Sequence, residues 1–193
     1  LALVCAALAG LVAYEWFALR SQQVVAPIAG VEFTQGELLN NLMRAYFDIE
    51  PVDVAIAPDD PREGPANAPL QLVVFSDFEC PSCKTNSKQL ARMVSAFGDQ
   101  ISIVYKNYPL SSDCNPTLTA NPHKHACNAA LGGIAAQMQG KFVEYHHLIY
   151  GAAGAPTPQV VDAAAQRIGL DMAKFNQDKD SDAARAKLQA DIH

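Results

Sequence analysis

The sequence predicts an α/β fold in which a parallel strand-helix-strand unit is followed by a helical subdomain. Three observations carry that expectation. Leu70, Leu72, Val73, Val74 and Phe75 form a nearly continuous apolar run, as a central strand buried on both faces requires. Leu90, Met93, Val94 and Phe97 then recur at helical spacing, giving a helix with one buried stripe that starts near Pro81. From about residue 110 to residue 193 strand patterns are absent and four helical patterns take their place.

With 193 residues, 50% of them hydrophobic, the chain can bury one sizeable core and a small appendage. A net charge of -6 and the lack of a Lys/Arg cluster exclude a nucleic-acid surface. Residues 1–19 are apolar apart from Glu15 and, at about 1.5 Å per residue, match the roughly 30 Å hydrocarbon layer of a membrane. Tyr14, Trp16 and Phe17 sit where an interfacial aromatic belt would. Residues 1–20 are therefore expected to be a transmembrane anchor. The alternative, a signal-peptide core, lacks an Ala-x-Ala site before residue 30. Leu1 in place of methionine reads as the continuation of a longer polypeptide, and Cys5 reads as a packing residue of the apolar stretch.

Residues 21–50 are expected to be a linker with a short helix, because Thr34 and Glu37 form a capping box ahead of Leu38, Leu39, Leu42, Met43 and Tyr46. The main domain is expected over 51–193. Val52, Val54 and Ile56 alternate like a half-buried strand, and the turn-rich stretch 58–69, with four prolines and Gly64, leads to the main strand, so the two flanking strands should pair. Ile101, Ile103, Val104 and Tyr105 predict the next strand, stopped by Pro109 and joined by a right-handed parallel crossover. The four helical patterns are marked by Leu131 to Met138, Phe142 to Ile149, Val160 to Ile168 and Ala184 to Ile192, the first three ending at Gly140, Gly151 and Gly169. Phe175 is assigned to the turn between the last two.

The chemistry sits at the first strand-helix junction, where Cys80 and Cys83 flank Pro81 and Ser82. Pro81 suits the first helical turn, which puts Cys80 at the helix N-terminus, where free N–H groups and the positive dipole end favour a thiolate. An unperturbed thiol near pKa 8.5 is only a few per cent ionised at neutral pH, whereas Cys-x-x-Cys thiols at helix starts titrate at roughly 3.5–7. Cys80 is therefore assigned as attacker, and Cys83, one turn later, as the thiol that resolves a mixed disulfide.

The stretch Phe75-Ser-Asp-Phe-Glu-Cys-Pro-Ser-Cys83 resembles the active-site signature of the DsbA-like branch of the thioredoxin superfamily. Val104-Tyr-Lys-Asn-Tyr-Pro-Leu110 and Gly140-Lys-Phe-Val-Glu-Tyr-His146 support the resemblance, which covers roughly residues 50–193. It implies a thioredoxin-like core with a helical insertion over about 110–193, and exchange of the Cys80-Cys83 disulfide with protein thiols. It also implies a membrane redox partner, quinone-linked in one version, to reoxidise the pair, and no bound cofactor or metal. Some relatives follow the last helix of a vitamin K epoxide reductase-like membrane domain, and residues 1–19 could be that helix. Three departures stand out. Ser82 replaces the histidine that many strong oxidases carry between the cysteines, which implies a milder oxidant. Val74 occupies the position of the buried acid found in reductant relatives. The family's cis-proline loop and last strands are expected to be truncated from this sequence; Thr157-Pro158 reads instead as an N-cap and first helical residue.

For Cys80 and Cys83 the alternatives are a purely structural bridge or half of a zinc site completed from Cys114, His123, His125 and Cys127. Cys114 and Cys127 are expected to form a structural disulfide closing a Pro- and Asn-rich loop; the alternative is a second exchange pair. Paired cysteines in a tethered chain fit an oxidising compartment, so the domain is expected to be extracytoplasmic, periplasmic or at the cell surface. His123, His125, Glu79 and His147 read as solvated and Asp77 as a turn residue, while His146 follows the apolar stripe of its helix. Besides an oxidase, a reductase or isomerase of the same compartment and a non-catalytic metal- or thiol-protein-binding module remain open.

Overall fold

The structure is a computed structural model that describes the backbone of residues 24–28 and 31–34, residue 40, and residues 52–193. The expected anchor and most of the helix expected after Thr34 lie outside the described residues; Asn40 is helical. Among the described residues no helix is long and apolar enough to cross a membrane. The chain divides into two compact units, residues 1–53 and 54–193. In the first, β1 (Val24–Ile28) and β2 (Val31–Thr34) form an antiparallel hairpin where the sequence reading had only a linker. Two β-branched runs separated by Ala29-Gly30 carry the hairpin signal that the capping-box reading passed over.

The second unit is built on a three-stranded sheet in the order β3-β5-β4, where β3 is Arg62–Glu63, β4 Leu70–Ser76 and β5 Ile101–Asn107. β4 and β5 are parallel, in register from Leu70 opposite Ile101 to Ser76 opposite Asn107, and α1 (Pro81–Phe97) crosses between them. Here the strand assignment needs correction. The buried strand is β5, every residue of which is buried, whereas β4 lies at the edge with Leu70 52% and Phe75 46% exposed. Val52, Val54 and Ile56 form no strand and are exposed. The cause is a tight turn: Asp60 N–H donates to the Ala57 carbonyl and the Ala57 N–H donates to the Asp60 carboxylate, reversing the chain after Pro58. That turn delivers Pro61 to Glu63 onto the free edge of β5, where β3 pairs antiparallel and the Tyr105 N–H reaches the Pro61 carbonyl. Phe97, expected in the buried stripe, is exposed because α1 ends there, at Gly98 with φ 51°.

Helices follow: α2 (Ala126–Met138), α3 (Phe142–Gly151), α4 (Pro158–Arg167), α5 (Met172–Lys179) and α6 (Asp182–Ile192). Thr157 is the N-cap of α4 and Pro158 its first residue. The correction is α5: Phe175 is not in a turn but on a helix capped by the Asp171 carboxylate, and it is wholly buried against α2. Gly132 lets α2 approach its neighbours closely; a Cβ there would stand 2.5 Å from Tyr145 Oη and 2.9 Å from Val161 Cγ1. The main core runs from Leu90, Ile103 and Tyr105 through Phe78, Phe142, Tyr145 and Tyr150 to Val161 and Phe175. It therefore joins sheet and helices directly beneath the β4-α1 corner.

A closed set of buried charges locks the opposite end. Lys106 Nζ lies 2.7 Å from Asp60 Oδ2 and 3.6 Å from Asp191, Lys187 Nζ contacts Asp60 at 2.9 Å and also Asp191, and Asn107 donates twice to Asp191. Burial works against the ionised Asp60, but the contacts of Lys106 and Lys187 and the Ala57 N–H outweigh it and hold the carboxyl below its ordinary 3.8. A depressed carboxyl stabilises the fold above the unfolded value and loses that contribution as pH falls through the folded one. Asp60→Asn is therefore expected to cost about 3–5 kcal/mol at neutral pH, by thermal or urea unfolding, because it leaves Lys106 and Lys187 to share the single carboxylate of Asp191. The difference from wild type should shrink below about pH 4.

Candidate active site

β4 ends at Ser76, and the next four residues turn the chain into α1. Asp77, 3% exposed, organises the turn: its Oδ1 accepts the Glu79 N–H at 2.6 Å, and its Oδ2 accepts the Leu110 N–H at 2.7 Å and lies 2.7 Å from His123 Nδ1. Its carbonyl accepts the Cys80 N–H at 3.1 Å and the Tyr150 hydroxyl at 2.9 Å. Cys80 consequently sits at the N-cap of α1 with extended backbone (φ -75°, ψ 120°), Pro81 opens the helix, and no side chain caps it. The first turn holds no acidic residue, so its N–H groups and positive dipole end are left for the Cys80 sulfur.

Cys80 and Cys83 are both free thiols, one helical turn apart and partly buried. Burial pushes the Cys83 thiol up; the Asp77 backbone works the other way, and the neighbouring Cys80 and Asp77 carboxylate push it further up. Cys80 opens instead onto a groove of about 420 Å³ walled by Phe78, Pro81, Lys84, His123 and Ala155. Lys84 is held there by a hydrogen bond from its ammonium to the Ala152 carbonyl. One sulfur thus lies on an open groove and the other on the inner side of the corner.

The segment between β5 and α2 forms the other side of the groove. Cys114 and Cys127 are joined in a disulfide, with Cα atoms 5.9 Å apart, so both zinc-ligand candidates among these cysteines are consumed. The segment docks on the corner through Leu110 and His123, which meet Asp77, and through the His125 N–H, which reaches Glu79 Oε2 at 2.6 Å. Asp77 is the turn residue expected and also a buried hub, while Glu79 and His123 are partly buried rather than fully solvated. These contacts join positions 46 residues apart, a distance at which local spacing carries no signal. Tyr150 and His146 were missed as parts of the site for a different reason: their helical stripe reads as core, which it is, but that core abuts Cys83.

The sheet, the crossover helix and the two cysteines at its start define a thioredoxin-type domain. Residues 57–193 match the thioredoxin family, and the chain belongs to it. Among curated proteins it is similar to an Na(+)/H(+) antiporter NhaA 1 of Mycolicibacterium vanbaalenii, 32% identical over 124 residues, and to that of Mycolicibacterium gilvum, 31% identical over 134. The match covers 64% and 67% of this chain but only 19% and 20% of those proteins, so the chain spans about one fifth of their length. Among solved structures it is similar to a thioredoxin-like oxidoreductase from Silicibacter pomeroyi, with TM-score 0.61 and 23% identity over 70% of this chain and 72% of that one. It also resembles the thiol-disulfide exchange protein alpha-DsbA2 from Wolbachia pipientis, with TM-score 0.58 and 17% identity over 80% and 73% of the two chains. The catalytic domain of Proteus mirabilis ScsC gives TM-score 0.53 and 17% identity over 80% and 74%.

Two outcomes follow from this geometry. Asp77→Ala removes the shared acceptor of two backbone N–H groups and His123, and is expected to cost about 2–4 kcal/mol in urea unfolding. Replacing Cys114 and Cys127 by serine opens a loop of sequence separation 13 and should lower stability by about 3 kcal/mol, read as a lower melting temperature.

Proposed function

We propose that this domain exchanges a Cys80-Cys83 disulfide with protein thiols, acting as an oxidase in an extracytoplasmic compartment and using no bound cofactor. The observation that carries the reading is the pair of free cysteines at an uncapped, acid-free helix N-terminus, with Cys80 on an open groove and Cys83 behind it. In the oxidised form a substrate thiolate attacks Cys80 Sγ, the Cys80-Cys83 bond breaks, and Cys83 leaves with the electron pair and takes up a proton. A second substrate thiolate then attacks the substrate sulfur of the mixed disulfide, and Cys80 leaves as a thiolate. The helix terminus stabilises that leaving thiolate, which favours transfer of the disulfide to substrate. Ser82 can add only one hydrogen bond where a cation would add a full charge, so the oxidant is a mild one.

The Cys114-Cys127 disulfide supports an oxidising compartment, since such bonds do not persist in the cytosol. It acts structurally, tying the loop that carries His123 and His125 to the start of α2. The antiporter-named relatives, of which this segment is about one fifth, support a membrane setting. We take residues 1–19 as the tether and a membrane partner as the oxidant that removes the electron pair from the reduced cysteines.

The test is disulfide formation in a reduced, unfolded two-thiol protein. Wild type carrying the preformed Cys80-Cys83 disulfide is expected to accelerate it, and Cys80→Ala and Cys83→Ala, neither of which can hold that disulfide, to abolish the effect. A Cys80→Ala variant as active as wild type would refute the assignment. The Cys80-Cys83 potential sets the direction: a value towards about -120 mV fits an oxidase, and one near about -270 mV would make the domain a reductase.

A further inference from the structure

We infer that His146 is the proton acceptor for Cys83, working across a small cavity that both residues line, when Cys83 closes the Cys80-Cys83 disulfide. The inference rests on the thiol-exchange reading and adds the group that activates the second cysteine.

The need for such a group is set by the burial of Cys83. A thiol pushed up by its surroundings is a poor nucleophile at neutral pH, so its attack on a mixed disulfide at Cys80 requires removal of its proton as the bond forms. Behind Cys83 lies a cavity of about 20 Å³, walled by Val74, Ser76, Leu90, His146 and Tyr150. A volume of roughly 10–15 Å³ suffices for one water, which makes the cavity wide enough to carry a proton between side chains.

Of the groups on that cavity, His146 alone can take the proton. The Tyr150 hydroxyl donates to the Asp77 carbonyl, and burial pushes its pKa far up, so it holds its own proton. Ser76, Asn86 and Ser87 do not titrate, and Val74 carries no base. The Asp77 carboxylate is already engaged by Leu110, Glu79 and His123. His146 is 2% exposed, stands among the rings of Phe78, Tyr105, Phe142 and Tyr150 at 4.5 to 5.9 Å between centroids, and its Nδ1 is buried without a hydrogen-bond partner. A buried polar atom left unpaired in an aromatic core costs stability, which a purely packing residue would not incur.

The surroundings of the ring keep it neutral, though they also weaken it as a base. Burial first, and the nearby His147 second, lower the His146 pKa to about 3, so the imidazole is neutral and keeps a lone pair throughout the physiological range. Facing it are His147 and Tyr150 from α3, Tyr105 from β5 with its hydroxyl on Glu63 of β3, and Cys83 from α1. Glu63 also lies 3.5 Å from His147, which partly offsets the charge of that ring when it is protonated. A base this weak does not retain the proton, so transfer is concerted with sulfur-sulfur bond formation. In that step the Cys83 proton passes through the cavity to His146, Cys83 Sγ bonds to Cys80 Sγ, and the bond from Cys80 to the partner sulfur breaks. The partner leaves as a thiolate with the electron pair, and the proton returns from His146 to solvent.

The reduced protein and 5,5'-dithiobis(2-nitrobenzoate) separate the two cysteines. The first thionitrobenzoate released reports attack by Cys80 and the second reports resolution by Cys83. His146→Leu is expected to slow the second release about 100-fold while leaving the first unchanged, and Val74→Asp in that background should recover at least about tenfold by supplying a base on the same cavity. His146→Phe, which continues the ring cluster, should behave like the leucine variant. In wild type the second release, and not the first, should slow in deuterium oxide. Wild-type second-phase rates in the variants, equal slowing of both phases, or a second release indifferent to deuterium would each overturn the role of His146. No first release from wild type would overturn the thiol-exchange reading instead.

Discussion

A single buried carboxylate sets the geometry on which the site depends. Asp77 holds the β4-α1 turn through Glu79, and clamps the 110–127 segment to that turn through Leu110 and His123. Both of its oxygens are engaged by these partners, while its charge still pushes the neighbouring Cys83 thiol up. The helix start is left to act on Cys80 with no acidic side chain of its first turn competing. The position of the sulfur thus depends on this one residue.

Around that corner the fold divides labour. β5 is buried along its whole length and anchors the core, while β4 can lie at the edge and still lead into the turn before the cysteines, since the aromatic cluster of Phe78, Phe142, Tyr145 and Tyr150 supports the corner from below. The Lys106, Asp60, Lys187 and Asp191 set balances two cations with two carboxylates and binds α6 and the 57–60 turn to β5. The disulfide at Cys114 does the same for the loop beside the groove, and Gln189 of α6 donates to the Cys114 carbonyl. Residues that carry chemistry are thereby held between elements fixed by charge, by covalent linkage and by packing.

How much of this the sequence disclosed follows from the range of each interaction. The β4-α1-β5 order, the helix start at Pro81 and α2, α3, α4 and α6 were legible because they depend on periodicity and on local caps. Val52 to Ile56 misled because alternation there is not backed by a partner strand; the Ala57-Asp60 turn diverts the chain to β5 first. Phe175 misled for the opposite reason, since α5 has only eight residues and its single buried ring leaves no stripe to detect. The placing of Cys80 and Cys83 at a helix start was legible, but their surroundings were not. Asp77 with His123, Glu79 with His125, and His146 behind Cys83 are long-range meetings; the apolar stripe turns His146 inward but does not say what it meets there.

The central claim is that one sulfur, at the start of α1, is kept reactive while its neighbour is kept in reserve. The most direct measurement is the rate of iodoacetamide alkylation at each cysteine of the reduced protein as pH is varied, resolved by peptide mass spectrometry. The account predicts that Cys80 is labelled ahead of Cys83 throughout, and that Cys83 reacts only in the alkaline range. Equal labelling of the two cysteines across the range, or Cys83 reacting first, would contradict it.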